Sequence, residues 1–278
     1  MRILEVINKT TPFFEKQGIE SPRLTIELML AHVLKKKRLA LYLEFERDVD
    51  EATLEKLREM VKRRVAGEPL QYITGEAEFC GLKFMVDRRV LIPRPETELL
   101  VEAVAVRRPK VIVDIGTGSG CIVVALAKRL PEVEITAIDA SAEALEVAQA
   151  NANRHELEKR IRFLNSDLLE NFPDGQRVDA VVSNPPYIAS GELARLPKEV
   201  RDFEPVQALI AGEDGLEVFR RLAKTARRVL SPSGFVALEI GAGQRAVVEE
   251  LFGKENFAVT EVVKDLQGIE RVIVAQPK

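Results

Sequence analysis

A run of apolar residues ending at Ser183 leads into Asn184-Pro185-Pro186-Tyr187. Two consecutive prolines stiffen the backbone and remove two N–H donors. The carbonyls of Asn184 and Pro185 are thereby left as acceptors, and the Asn184 side chain adds another. Tyr187 offers an aromatic face to a planar group. Together these groups suit a planar –NH2 group held through both of its hydrogens. An amide nitrogen is a poor nucleophile because its lone pair is delocalised. Hydrogen bonds accepted from both N–H groups raise its electron density and aim it at an electrophile. The competing reading is an ordinary Pro-Pro turn at a strand end.

A second constellation lies upstream. The strand-like run Val111–Ile115, which contains Asp114, passes directly into Gly116-Thr117-Gly118-Ser119-Gly120, and a helical pattern, Cys121–Leu130, comes next. Glycines permit a sharp turn and close approach of a ligand to the backbone. A dinucleotide site would read G-x-G-x-x-G; here the third glycine comes one residue early. That spacing favours a ligand without a pyrophosphate, such as S-adenosyl-L-methionine, over a tight turn that binds nothing. The next strand ends in Asp139, placed to accept from ribose hydroxyls. The one after ends at Asp167-Leu168, an acceptor for an adenine amino group beside an apolar flank. Either aspartate alone is equally a cap or turn former. A sulfonium methyl donor is already activated, so neither a metal nor a covalent nucleophile is needed. Holding the two reactants at near-attack distance contributes ~7–11 kcal/mol.

The elements that position these residues are set by periodicity. Strand-like runs at Val111–Ile115, Glu134–Ile138, Ile161–Leu164, Val178–Ser183, Phe235–Ile240, Val259–Val263 and Val272–Ala275 alternate with helical patterns such as Ser141–His155 and Gly215–Val229. Such alternation predicts a parallel sheet covered on both faces. Only Lys264–Glu270 separates the last two runs, so a hairpin there makes one strand antiparallel. The first ~65 residues read as helices by apolar spacing: Ile3, Leu4, Ile7 and Phe14 form one face, and Leu24, Leu28, Ala31 and Leu34 another. Ser21-Pro22 and Asp50 are candidate helix starts, and Gly67 a candidate stop. Lys35–Arg38 is a basic run, read as favourable charge at a helix C-terminus or as a contact for an acidic partner or RNA. Between Pro69 and Ile92 the β-prone stretches Gln71–Ile73 and Leu82–Val86 predict a hairpin.

Composition removes other classes. A net charge of −3 gives no footprint for broad nucleic-acid binding. Cys80 and Cys121 form no framework, and His32 and His155 are the only histidines, so no metal site is expected. No segment has the ~20 apolar residues of a membrane span, and the expectation is a soluble cytoplasmic protein.

The chain resembles the release factor glutamine methyltransferases over nearly its whole length. The resemblance rests on Gly67–Gly75 (GEPLQYITG) with Glu78-Phe79, Leu91–Glu98 (LIPRPETE), Asp114–Gly120, Asp139, Asp167, Ser183–Ile188, Glu204-Pro205 with Ala208-Leu209, and Glu239–Gly241. The Asn-Pro-Pro-Tyr tetrad alone is shared with DNA adenine and RNA guanine methyltransferases; the PRPETE block narrows the match to the glutamine-modifying branch. The resemblance implies an N-terminal helical substrate-recognition domain (1–68), a hairpin linker (69–92) and a class I Rossmann-like methyltransferase domain (93–278) with a seven-stranded, mostly parallel sheet. It implies S-adenosyl-L-methionine contacts from Gly116, Thr117, Gly118, Ser119, Gly120, Asp139, Asp167, Leu168 and Asn184. It also implies that Asn184, Pro185, Pro186 and Tyr187 hold the glutamine of a release factor's Gly-Gly-Gln loop, with no direct nucleic-acid requirement. Some members carry an aromatic residue where Leu168 stands, so aliphatic packing replaces ring stacking here. A close branch acts on a ribosomal protein. In Arg94–Glu98 two readings stay open: Arg94 and Glu96 bind the methionine end of the cofactor, or Pro95 starts a helix Glu96–Val106 whose positive end Glu96 and Glu98 favour. A nucleic-acid amino methyltransferase and a non-catalytic cofactor-binding adaptor are the alternatives of function.

Overall fold

The computed structural model describes residues 1–278. Its elements in chain order are α1 (Ile3–Lys16), α2 (Pro22–Val33), α3 (Arg38–Tyr42), α4 (Glu51–Val65), α5 (Leu70–Thr74), β1 (Glu76–Phe79), β2 (Leu82–Met85), α6 (Glu98–Ala105), β3 (Val111–Ile115), α7 (Cys121–Arg129), β4 (Glu134–Asp139), α8 (Ala142–Arg154), β5 (Ile161–Asn165), β6 (Val178–Ser183), α9 (Lys198–Phe203), α10 (Glu217–Val229), β7 (Leu230–Glu239), α11 (Arg245–Lys254), β8 (Phe257–Lys264) and β9 (Glu270–Pro277). They fall into two compact units, one of Met1–Gly75 with Lys198–Phe203 and one of Glu76–Pro197 with Glu204–Lys278.

The first unit is helical. Ile3, Val6, Ile7 and Phe14 of α1 pack with Ile26, Met29 and Leu30 of α2 and Leu54 and Leu57 of α4. Asp50 caps α4 by accepting from the Thr53 amide at 2.7 Å, as its position predicts. Two sequence expectations are corrected and one is borne out. The buried face of α2 is Ile26-Met29-Leu30, while Leu24 and Leu28 are exposed; α2 is apolar on both sides, so spacing alone does not select the face. Ser21-Pro22 does start α2, with Ser21 at the N-cap in the left-handed region and no bond from its hydroxyl. Gln71–Ile73 is helix α5, not strand. Pro69 precedes it, Gly75 closes it at φ +72°, and Leu70 and Ile73 join the helical core. The helical unit therefore runs to Gly75 rather than 68. It also takes in α9, whose Glu199 pairs with Arg64 at 2.7 Å.

The second unit holds a seven-stranded sheet of order β5-β4-β3-β6-β7-β9-β8. Strands β3 to β7 are parallel, and β9 runs antiparallel to both β7 and β8. Side chains alternate across it. Ile112, Ala180 and Val182 join one core with residues of α6 and α7, such as Val101 and Val123. Val113, Ile115 and Val181 join another with Phe219 of α10 and Phe252 of α11. The hairpin β1–β2 is fastened by Asn151, fully buried on α8. Its side chain accepts from the Met85 amide at 2.7 Å and donates to the Met85 carbonyl at 2.9 Å.

Connectivity decides where a ligand can bind. From β3 the chain moves outward through β4 and β5, then returns to β6 on the other side of β3. The crevice outside the carboxyl ends of β3 and β6 is therefore a topological switch point, the usual ligand position in such sheets. Asp114 pairs in register with Val182, so the glycine turn and Asn184 emerge side by side.

Candidate active site

The glycine turn divides its three glycines between two tasks. Gly120 (φ +77°) packs against α8, where a Cβ would come within 3.1 Å of the Ala148 Cβ. Gly116 (φ +73°) and Gly118 (φ +54°) have no protein atom within 4 Å of where a Cβ would stand. They border open space in a backbone conformation that favours glycine. The turn's N–H groups are largely spent inside the protein. Those of Gly116 and Thr117 donate to the Ile138 carbonyl at 2.8 and 2.9 Å, and that of Gly120 to the Thr117 carbonyl at 2.8 Å. That of Gly118 donates to Asp139 Oδ2 at 2.8 Å. A loop so engaged is poor at cradling a pyrophosphate, in keeping with the early third glycine. Asn151 holds the same turn by donating to the Ser119 carbonyl at 2.8 Å.

Two buried polar groups beside the turn face one another without a well-formed hydrogen bond to the rest of the protein. Both carboxylate oxygens of Asp114 and the hydroxyl of Thr117 are unsatisfied. Asp114 is fully buried, and burial pushes its carboxyl up to about 7, with the Thr117 hydroxyl opposing the rise and the negative Asp139 adding to it. Buried polar atoms are normally hydrogen-bonded, so this pair is suited to groups brought by a ligand. Asp139, at the end of β4, accepts from the Gly118 and Ser141 amides on opposite oxygens. Burial also raises its pKa, against those backbone bonds. A carboxylate has about four lone-pair sites, so it retains capacity for ribose hydroxyls.

On the neighbouring strand, the Ser183 hydroxyl donates to the Ile115 carbonyl at 2.6 Å, tying the end of β6 to that of β3. The tetrad comes directly after. Asn184 shares one cleft with Gly116, Thr117, Gly118 and Ser119, whose remaining walls are Leu91, Pro93, Arg94, Thr97, Cys121 and Ile122. Pro185 is buried and Tyr187 half-buried. The Tyr187 carbonyl accepts from Gln244 Nε2 at 2.9 Å, and Gln244 Oε1 accepts from the Gly241 amide at 2.9 Å. One side chain thus clamps the tetrad to the turn after β7. Burial first, and then the negative Glu239, push the Tyr187 phenol up to about 12.

Comparison with known proteins bears on the chain as a whole. The family described as PrmC N-terminal domain matches residues 5–75, and the methyltransferase small domain matches residues 95–197. The release factor glutamine methyltransferase of Chlorobaculum tepidum is 43% identical, over 97% of this chain and 95% of that one. That of Geobacter sulfurreducens is 41% identical over 98% and 95%. The chain belongs to the release factor glutamine methyltransferase family. A methyltransferase from Pyrococcus furiosus superposes with a TM-score of 0.55 at 19% identity, over 80% of this chain and 98% of that one, which supports the fold alone.

The other candidate positions of this family member are less closely grouped. Asp167 is exposed, and its Oδ2 accepts from Arg221 at 2.8 Å. Leu168 is half-buried at φ +49°, an unusual conformation for a branched residue. Asp139, Asp167, Leu168, Pro185, Pro186 and Tyr187 lie outside the cleft lining that joins the turn to Asn184. The Arg94–Glu98 block does more than start a helix. Pro95–Thr97 is a 3-10 turn, and α6 begins at Glu98. Arg94 donates to Glu204 Oε1 at 2.6 Å, Thr97 to Glu239 Oε2 at 2.6 Å, and Glu98 Oε1 accepts from the Cys80 amide at 2.6 Å. The block is therefore a three-point clasp on distant segments. Reading the sequence alone overlooked Asp114, Thr97, Glu239, Gln244 and Asn151 as site residues. Asp114 has a local signal, an acid two residues before the glycine turn, and Thr97 and Glu239 fall within the PRPETE and Glu239–Gly241 blocks, whereas Gln244 and Asn151 have none.

Proposed function

We propose that this chain methylates the side-chain amide nitrogen of the glutamine in the Gly-Gly-Gln motif of peptide chain release factors, with S-adenosyl-L-methionine as donor. The observation that carries the reading is the single cleft shared by an open glycine turn and Asn184, in a chain 43% identical to a release factor glutamine methyltransferase.

The residues fit the donor. Gly116 and Gly118 leave room against the backbone, Asp139 keeps acceptors for ribose hydroxyls, and Asp114 and Thr117 are left for the polar groups of the amino-acid end. Leu168 supplies an apolar flank for the adenine, and the free Asp167 oxygen an acceptor at its edge. Bound S-adenosyl-L-methionine supplies a methyl made electrophilic by its positive sulfur, so that as the amide nitrogen gains the carbon the C–S electron pair stays on sulfur and one N–H proton leaves to water. The chain's part is placement. The Asn184 side-chain carbonyl and the Pro185 backbone carbonyl accept from the two amide hydrogens, and the Tyr187 ring covers one face of the amide. Pro186 keeps the tetrad stiff. Glycines beside the target let its backbone approach closely. The helical unit reads the rest of the factor, and no nucleic acid is required.

The test is turnover with a purified release factor and labelled donor. One added methyl on the Gly-Gly-Gln glutamine, located by mass spectrometry, is expected, with DNA, RNA and ribosomal protein as controls. Label confined to a control would replace the assignment.

A further inference from the structure

We propose that Thr97 and Glu239 are positioning residues that set which way round the Asn184 amide faces, so that its oxygen and not its nitrogen meets the substrate. The inference rests on the reading that Asn184 accepts from the amide undergoing methylation.

Thr97 ends the 3-10 turn Pro95–Thr97 and leads straight into α6 in helical backbone (φ −66°, ψ −19°). Here it makes no capping bond. Its Oγ1 instead donates to Glu239 Oε2 at 2.6 Å and lies 3.0 Å from Asn184 Nδ2. Both Thr97 and Glu239 are 2% exposed, so water does not substitute for these partners.

A hydroxyl has one proton to donate and two lone pairs. With that proton committed to the carboxylate, Thr97 can only accept from Asn184, which must then present its –NH2 branch. The carbonyl branch is left to accept on the cleft side. A flipped Asn184 would set its own N–H groups against those of the substrate. The nitrogen to be methylated would then be repelled rather than aimed. The relay therefore gives the polarity that the tetrad by itself leaves open, since an asparagine amide can turn either way.

The same geometry makes polarity depend on the charge of Glu239. Burial pushes its carboxyl up to about 7; Thr97 opposes that rise, Glu96 adds to it, and Arg271 and Arg94 counter it. Tyr187 faces it as well. Once protonated, Glu239 offers its own hydrogen to Thr97. The threonine proton is then free to turn to Asn184 Oδ1, and the amide can flip. Turnover at saturating donor and factor is thus expected to fall as pH drops through about 7.

The experiment compares Thr97→Val, which keeps shape and removes the hydroxyl, with Thr97→Ser, which keeps the hydroxyl. Both are assayed on an intact release factor. Thr97→Val is expected to lower kcat by about 10- to 100-fold, the scale for losing a group that orients a functional side chain, and to lose the acid limb near neutrality. Thr97→Ser should restore both kcat and the limb. A second readout does not depend on turnover: in labelled wild-type protein the Asn184 side-chain NH2 protons should exchange slowly, and they should exchange fast in Thr97→Val. Wild-type kcat in Thr97→Val, or a freely exchanging Asn184 amide in the wild type, would overturn the relay. A wild-type protein that leaves the factor unmethylated while keeping a protected Asn184 amide would overturn the proposed function and spare the relay geometry.

Discussion

Asp114 carries the least comfortable charge in the chain. Its oxygens are buried without a well-formed hydrogen bond, and although the Thr117 hydroxyl favours the charge, burial raises its carboxyl from an ordinary 3.8 to about 7. Between these values the folded chain holds a proton that the unfolded chain releases. Stability of the ligand-free protein therefore falls as pH rises through this window, and the cost is complete above about 7. Glu239 adds the same sign over a similar window, and it does so equally in wild type and in an Asp114 variant. Asp114→Asn should raise the ligand-free Tm at pH 8 and raise it much less at pH 5. Donor should raise the Tm of the wild type by more than that of the variant. Scanning calorimetry at both pH values checks this, and an equal gain at both would mean that the carboxylate has found solvent. At Asp139 the loss is of ligand contacts. Asp139→Ala should weaken donor binding by roughly 1–3 kcal/mol, the scale of a buried hydrogen-bond partner, and unchanged affinity by titration calorimetry would remove it from the site.

At the scale of elements, the tetrad is held by the turn between β7 and α11. A Cβ on Gly241 would stand 2.8 Å from Gln244 Oε1 and 3.1 Å from Tyr187 Cδ2. Gly241→Ala should displace the Gln244 clamp and the Tyr187 ring. The expected fall in kcat approaches about 100-fold, the scale for a misplacement of ~1 Å, with the chain still folded. Near wild-type kcat would show that Gln244 yields without moving the tetrad. Gly215→Ala is the contrast: φ is +74° there and the added carbon overlaps the Tyr187 carbonyl oxygen, so loss of soluble protein is expected. These contacts explain which features are legible in the sequence. The sheet strands are, because each is a short apolar run beside a helical period, and so are the glycine turn and tetrad, because their chemistry is local. The roles of Thr97, Glu239 and Gln244 are not, since each acts on a residue more than 50 positions away, and the blocks that contain Thr97 and Glu239 do not name that partner. Gln71–Ile73 misleads because Tyr72 and Ile73 favour strands by type, while Pro69, Gly75 and a helical core decide otherwise.

At the scale of the molecule, the second unit contains both sheet cores and every residue lining the cleft, whereas the first has a core of its own and contributes none of that lining. On the function proposed above, its task is recognition of the release factor. It also displays apolar side chains that its core leaves outside: Leu39 is 72% exposed and Leu43 88%, one helical turn apart at α3. On the same reading these two side chains are a candidate contact for the factor. Deleting the N-terminal helices would be a poor test. It would strip α9 of Arg64, the partner of Glu199, and α9 lies on the chain between the tetrad and the clasp residue Glu204. Replacing Leu39 and Leu43 together by glutamate leaves the helical core intact and changes only the surface. The expected result is a rise in KM for an intact release factor of about tenfold or more, since losing buried interface anchors costs upward of ~1–2 kcal/mol. The catalytic efficiency on a short Gly-Gly-Gln peptide, which reaches only the cleft, should be unchanged. Equal losses on protein and peptide would show damage to the site itself, and no loss on either would move recognition to another face of the helical unit.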